Sequence, residues 1–292
     1  MSAISAEATG HYVVIGKNDG AVQVIDLELR RVVSVFQTIF DPHGNRVAMV
    51  SGAPPMVIAG AWEKQGIAGY DALTGSLLWQ RKDLRHVQGI RSLNQNTVSV
   101  ELEGQPVRVL QATDGADIAK IAGVQAIYAL SGGRSILAGS EWVGIGDSEF
   151  SALRKIPLES FSAMDGVLSP DLGAVGEVGG RLLVLDANGG QLATWSAPGN
   201  VITKVSWEAT SNEWLCVINN PATGARQLVR TSQDARFVRA LPLDNGVYYE
   251  EFLSARSRLA LLRFMSPMTT LEIIDTQSGQ AEWMMAVEGM PG

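Results

Sequence analysis

The sequence predicts an all-β fold built from seven similar units, and three observations carry that prediction. The first is a short template of apolar, any, apolar, apolar, Asp. It reads Val22–Asp26 and returns at Ile67–Asp71, Val107–Gln111, Val143–Asp147, Leu182–Asp186 and Leu271–Asp275, with a poorer copy at Gln227–Thr231. The last residues of these copies lie 45, 40, 36, 39, 45 and 44 residues apart, a mean of 41.5, so 292 residues hold about seven of them. The second observation is a glycine four residues after the template ends, at Gly75, Gly115, Gly190 and Gly279. The third is tryptophan on the strand that follows, at Trp79, Trp195 and Trp283. A period of ~40–45 residues with several short strands per unit is the pattern of a β-propeller. The expectation is a single domain over 1–292: a seven-bladed β-propeller with four antiparallel strands per blade.

Each part of the unit has a physical reason. An Asp at the end of a strand can accept hydrogen bonds from the amides of the turn after it, and glycine supplies the left-handed conformation that the reversal needs. The tryptophan then gives each sheet a large side chain to wedge against its neighbour. On this reading the first unit has strands at 11–16, 21–27 and 31–36, and draws its first strand from Ser2–Ala8. The third has strands at 87–93, 97–103, 106–113 and 116–121, and the fourth at 124–130, 135–140, 142–147 and 152–158. The fifth has 161–168, 172–178, 181–187 and 191–197, and the seventh 247–253, 258–264, 269–276 and 281–287.

The stretch Gly69–Trp79 contains Asp71, Thr74, Gly75 and Trp79 in a D-x-x-T-G-x-x-x-W pattern, and it resembles the repeat of quinoprotein-like (PQQ-type) propellers. Lys17–Asp26 resembles the third strand of a WD-type repeat and its lead-in, while Phe40–Asn45 and Leu168–Asp171 resemble the turn between first and second strands. The resemblance covers nearly the whole chain as architecture. It implies a fold and leaves the activity open, because propellers host many functions.

Composition excludes several classes. With 18% charged and 46% hydrophobic residues the chain is not disordered. A net charge of −7 argues against nucleic acid or an anionic membrane as partner, since both need fields of Lys and Arg. One cysteine, Cys216, excludes an internal disulfide and every multi-cysteine metal site. No run of ~18 apolar residues is present to span a bilayer. Residues 1–10 show neither a basic nor an apolar signal segment, so a cytoplasmic monomer is expected.

A search for catalytic or metal-binding patterns returns structural readings throughout. His11, His43 and His86 are far apart and form no H-x-x-x-H pair. Cys216 lies in the apolar run Trp214–Ile218, which suits a buried thiol. Gly10–Asn18 has five residues between its glycines where a phosphate loop needs four. Asp114–Asp117 falls on the repeat turn; of the acidic pairs Glu101/Glu103 and Glu250/Glu251, the first reads as a solvated edge, since position 101 lies on a second strand. No catalytic residue, metal site or cofactor is expected. Trp207 and Trp214 fall inside apolar strands and read as core.

Trp62 and Trp142 are harder to bury, because they fall near turns between second and third strands. Those turns, and the connections from a fourth strand to the next blade, open on one face of a propeller. That face is the richer in anchors: Trp62; Lys82–His86 with Arg85 and His86; Trp142; Asn219–Gly224; and Met265 and Met268. The opposite face has short turns such as Asn94–Asn96, Ser131–Gly133 and Asn188–Gly190. Binding faces use aromatic, Met and Arg anchors on loops held by a rigid scaffold. The leading expectation is therefore a non-enzymatic propeller binding a protein partner through Trp62, Arg85, His86, Trp142, Met265 and Met268. An inhibitor or immunity-type protein masking a basic partner is one specific version. The alternatives are a propeller enzyme (quinone-dependent dehydrogenase or hydrolase) and a propeller binding a small molecule or glycan on Trp62 and Trp142.

Overall fold

The computed structural model describes all residues except 1–2, 7–8, 18, 41–44, 63–65, 160–161, 244–246, 254–255, 266–267 and 288–292, and describes 3, 45, 247–248 and 264–265 by backbone alone. Blade 1 comprises β1 (Ala3–Ala6), β2 (Tyr12–Gly16), β3 (Ala21–Asp26) and β4 (Arg31–Gln37). Blade 2 comprises β5 (Asn45–Val50), β6 (Met56–Ala61), β7 (Ile67–Asp71) and β8 (Leu77–Arg81). Blade 3 comprises β9 (Val87–Asn94), β10 (Thr97–Leu102), β11 (Val107–Gln111) and β12 (Asp117–Ile121). Blade 4 comprises β13 (Ala126–Ser131), β14 (Arg134–Ala138), β15 (Trp142–Gly146) and β16 (Ile156–Pro157). Blade 5 comprises β17 (Ala163–Leu168), β18 (Leu172–Glu177), β19 (Arg181–Asp186) and β20 (Gln191–Ser196). Blade 6 comprises β21 (Val201–Glu208), β22 (Glu213–Asn219), β23 (Arg226–Ser232) and β24 (Phe237–Leu243). Blade 7 comprises β25 (Val247–Leu253), β26 (Arg258–Met265), β27 (Met268–Asp275) and β28 (Ala281–Val287).

Each blade is a four-stranded sheet in sequence order. This is an all-β, seven-bladed β-propeller, as the period requires. The chain divides into two compact units: Met1–Gly123 with Phe264–Leu271 and Met285–Gly292, and Val124–Arg263 with Glu272–Met284.

Burial follows strand position. The second and third strands are nearly continuous apolar runs, as in β6, where all six residues are buried, and β19, where five of six are. They are covered on both faces, so the alternation of a half-exposed sheet is lost. Fourth strands do alternate with solvent, as in β20 and β28. Within each unit apolar clusters fill the spaces between consecutive blades. In the first unit Met49, Val57 and Tyr70 of blade 2 pack with Val22 and Val24 of blade 1, and Ile58 and Ile67 pack with Val98 and Leu110 of blade 3. In the second unit Trp214, Cys216 and Val229 pack with Leu182 and Val184, and Leu215 and Leu228 pack with Leu259 and Ile274.

The repeat turn behaves as its residues require. Asp71 Oδ1 accepts the amides of Leu73 and Thr74 at 2.9 and 2.8 Å, Asp26 and Asp275 cap their own turns in the same way, and Asp147 and Asp186 accept the amides two and four residues on. Gly75, Gly115 and Gly279 are left-handed, with φ of 72°, 71° and 74°. Arg30 and Ala235 take the same conformation at the equivalent position without being glycine, with φ of 53° and 60°.

Two expectations change. In blade 5 the left-handed residue is Gly189, with φ of 79°, and not Gly190, because Asp186 closes a turn one residue shorter. In blade 4 the expected strand 152–158 shrinks to Ile156–Pro157, with Ala152 bridging Gly146. No glycine follows Asp147 at the usual place, so Phe150 takes the left-handed conformation with φ of 59°. The chain then rejoins β15 through Leu153, whose amide donates to Ile145 O at 2.9 Å.

Fourth-strand side chains of one blade rest on the turn of the next. The ring of Phe36 lies against Gly75, that of Trp79 against Gly115, and Leu241 against Gly279. Trp79 Nε1 also donates to Ala112 O at 2.8 Å. This is the wedge expected of Trp79. Trp195 packs in the cluster between blades 5 and 6, and Trp283 is half-buried on β28.

Candidate functional site

The strongest display of anchors is at the end of blade 2 where β6, β7 and β8 meet the connection to blade 3. Gly60, Ile67 and Arg81 stand in one row across the three strands. Trp62 therefore leaves the sheet two residues beyond that row on β6, and Lys82 one residue beyond it on β8, with the strands ~10 Å apart. Gly66 lies directly against the Arg81 carbonyl and the Cα of Lys82, where any side chain would collide. The connection 82–86 then crosses the blade end, and Val87 packs on Gly60 of β6.

Leu84 pins this connection into the core between blades 2 and 3, where it is fully buried. Its neighbours Lys82, Asp83 and Arg85 are exposed. Arg85 Nε donates to Lys82 O at 3.3 Å, which steadies the side chain without neutralising it. His86 is half-buried in a left-handed conformation, φ 56°, and its carbonyl accepts the Glu103 amide at 3.1 Å. Trp62 is 41% exposed. An indole this open on a buried strand's end is a side chain held out by its scaffold.

The charges here are partly consumed within the chain. Arg81 grips Asp83 through two bonds of 2.8 and 2.7 Å and also reaches Asp117 at 3.2 Å. The Arg81 guanidinium hydrogen-bonded to Asp83 holds that carboxyl down at about 2. Arg91 likewise holds Glu101 at 2.9 Å. Lys82 and Arg85 stay outside both pairs.

The remaining anchors are distributed differently. Met268, at the start of β27, is 57% exposed, while the Met265 side chain lies outside the described residues. Trp142, in the second unit, is half-buried, with its ring against Gly139 and Lys155 Nζ 4.4 Å from the ring centroid. Trp62, Arg85 and His86 are thus brought to one blade end, and Trp142 is capped by its own neighbours. The sequence did not reveal the Arg81–Asp83–Asp117 cluster. Its only local signal was the spacing of Arg81 and Asp83, and Asp117 joins from the next blade.

The other chemical candidates have structural partners. Glu101 faces Arg91, and Glu103 sits exposed in a turn, so the two do not work as a pair. Glu250 receives Arg226 and Thr203, and Glu251 receives Lys204 at 2.6 Å; these contacts join β21 and β23 to β25. Glu101, read from the sequence as a solvated edge, is instead half-buried against Arg91. His11 meets Asp26 at 3.1 Å, and His43 lies outside the described residues. Asp26 is pushed up by burial but held below the usual range by the Leu29 and Glu28 amides and by His11. Cys216 is buried and its thiol is pushed up by desolvation. Among the described residues no three His, Cys, Asp or Glu side chains gather as a metal-holding group.

With the geometry in place, comparison with solved structures finds the same architecture. The Cps50 (Swd1) β-propeller domain of Myceliophteria thermophila matches 94% of this chain over 96% of its own, with TM-score 0.73 and 13% identity. The C-terminal WD40 domain of Sif2 matches 93% of this chain over 81% of its own, with TM-score 0.68 and 11% identity. The dihydro-heme d1 dehydrogenase NirN, solved in complex with DHE, matches 98% of this chain with TM-score 0.68 and 14% identity; this chain spans 66% of its length. The likeness is one of fold. It supports the propeller reading of the repeats. No family model and no curated protein matches the sequence.

Proposed function

We propose that this protein is a non-enzymatic propeller that binds a protein partner through the blade end carrying Trp62, Arg85 and His86. The fold is typical of interaction scaffolds, as the WD40 neighbours illustrate. The observation that carries the reading is Trp62. It is 41% exposed, yet it follows a strand whose six residues are all buried and stands beside a connection pinned by Leu84. A large aromatic held open on a rigid base suits an interface hot spot. Inhibition of the partner is the version that a covering surface of this kind serves. A net charge of −7 suits a basic partner, but the exposed Lys82 and Arg85 at this blade end do not favour one.

The test is a partner captured by affinity purification, identified by mass spectrometry and then titrated against purified variants. Trp62→Ala should weaken binding by ~2 kcal/mol or more, about thirtyfold, with the fold intact. The double variant Asn94→Ala with Asn96→Ala, in the turn at the other end of blade 3, should not. Loss of binding from the asparagine pair and not from Trp62→Ala would move the site to the opposite loops.

A further inference from the structure

We infer that the Trp62 end of blade 2 receives an acidic segment of its protein partner, with carboxylates against Lys82 and Arg85 and an apolar side chain against the Trp62 indole. The inference rests on the protein-binding reading and narrows the chemistry of the partner. The chain carries −7 overall, yet among the described residues this end presents two exposed cations, Lys82 and Arg85. Asp83 is taken up by Arg81, and Glu101 by Arg91, which leaves Lys82 and Arg85 exposed on the pinned connection. Among the described residues the opposing charge nearby is Glu103, exposed in the adjoining turn, whose amide is tied to the His86 carbonyl. Two cations on one short, anchored segment beside an open indole match an acidic peptide with an apolar residue. A basic segment would meet like charge there, which costs affinity.

An aromatic beside two cations also suits single-stranded nucleic acid, where bases stack and phosphates pair with Lys and Arg. The overall charge weighs against that occupant. A polyphosphate backbone needs basic residues at spacings well beyond a Debye length of ~8–10 Å, and the protein carries a net charge of −7. A short acidic segment engages Lys82 and Arg85 within that distance.

The experiment uses the full chain and three labelled probes read by fluorescence anisotropy: a short Glu/Leu peptide, its Lys/Leu counterpart, and an oligothymidylate. The Glu/Leu peptide should bind best. Lys82→Glu with Arg85→Glu should weaken it about tenfold or more and reverse the preference toward the Lys/Leu peptide. Trp62→Ala should weaken both peptides, and Glu103→Gln should tighten the Glu/Leu peptide. Arg236→Glu, an exposed site on blade 6, should change nothing, and thermal melts should show every variant folded. Preference of the parent for the Lys/Leu peptide, lost in Trp62→Ala, would overturn the acidic segment while leaving the protein-binding reading in place. Preference for the oligothymidylate would overturn both. Failure of the Glu/Leu peptide to bind, or its indifference to the charge reversal, would overturn the inference alone.

Discussion

Replacing Gly115 with alanine should destabilise the protein more than the same change at Gly279, although their backbones are nearly identical. Both glycines are left-handed, with φ of 71° and 74°. For an L-residue that conformation costs ~1–2 kcal/mol, and the stiffer unfolded chain returns ~0.4–1 kcal/mol. The backbone effect is therefore roughly 1 kcal/mol at both sites. The surroundings differ. A Cβ on Gly115 would stand 2.6 Å from Cε3 and 2.8 Å from Cζ3 of Trp79, whereas one on Gly279 would stand 3.1 Å from the end of the Leu241 side chain. The indole is held by its bond to Ala112 O and cannot withdraw, while Leu241 can change rotamer. Overpacking a rigid site adds ~1–3 kcal/mol, so Gly115→Ala should cost ~2–4 kcal/mol and Gly279→Ala ~1 kcal/mol. The assay is urea unfolding followed by circular dichroism, compared at unchanged m. Combined with Trp79→Ala, the steric part of Gly115→Ala should vanish, giving a coupling of ~1–3 kcal/mol in a double-mutant cycle. Equal costs at the two glycines, or strict additivity with Trp79→Ala, would refute the wedge.

Three further outcomes are expected. Trp79→Ala should cost ~3–5 kcal/mol by urea unfolding and Trp62→Ala within ~1 kcal/mol, since only the first loses a wedge against the next blade and a bond to Ala112 O. Stability should fall as pH drops from ~4 toward ~2, because Asp83, Asp26 and Asp275 all titrate below their unfolded value, so the unfolded chain takes up protons first. Asp83→Asn should flatten that part of the profile measured by thermal melts, and an unchanged slope would discount the Arg81 pair. Cys216 should resist an aromatic disulfide reagent in the folded protein at mildly alkaline pH and react on unfolding, since burial both covers the thiol and disfavours the thiolate. Immediate reaction of the native protein would show that blade 6 opens.

Much of the blade pattern was legible because it is local. The Asp26, Asp71 and Asp275 turns are closed by amides two and three residues away, and strand length follows from apolar runs such as Val22–Ile25. Blade 1 even recovers its first strand at Ala3–Ala6, inside the weak stretch Ser2–Ala8. Local chemistry also shows its limits in blades 4 and 5. There the turn after Asp147 or Asp186 closes differently, and the left-handed residue moves to Phe150 or Gly189.

The candidate site was legible only as a set of residues. Sequence alone placed Trp62, Arg85 and Trp142 near turns of one face, because alternating strands fix which loops share an end. It could not say which indole is open, since that depends on atoms distant in the chain. Lys155 and Gly139 cap Trp142, and nothing comparable covers Trp62 among the described residues. Nor could it assign charge to partners. Asp83 is neutralised by Arg81, which a spacing of two permits, but Asp117 completes that cluster from another blade, and Glu250 finds Thr203 across forty-seven residues. Turns and strand register are settled by neighbours in sequence; exposure and ion pairing are settled by whichever surfaces the packed blades bring together.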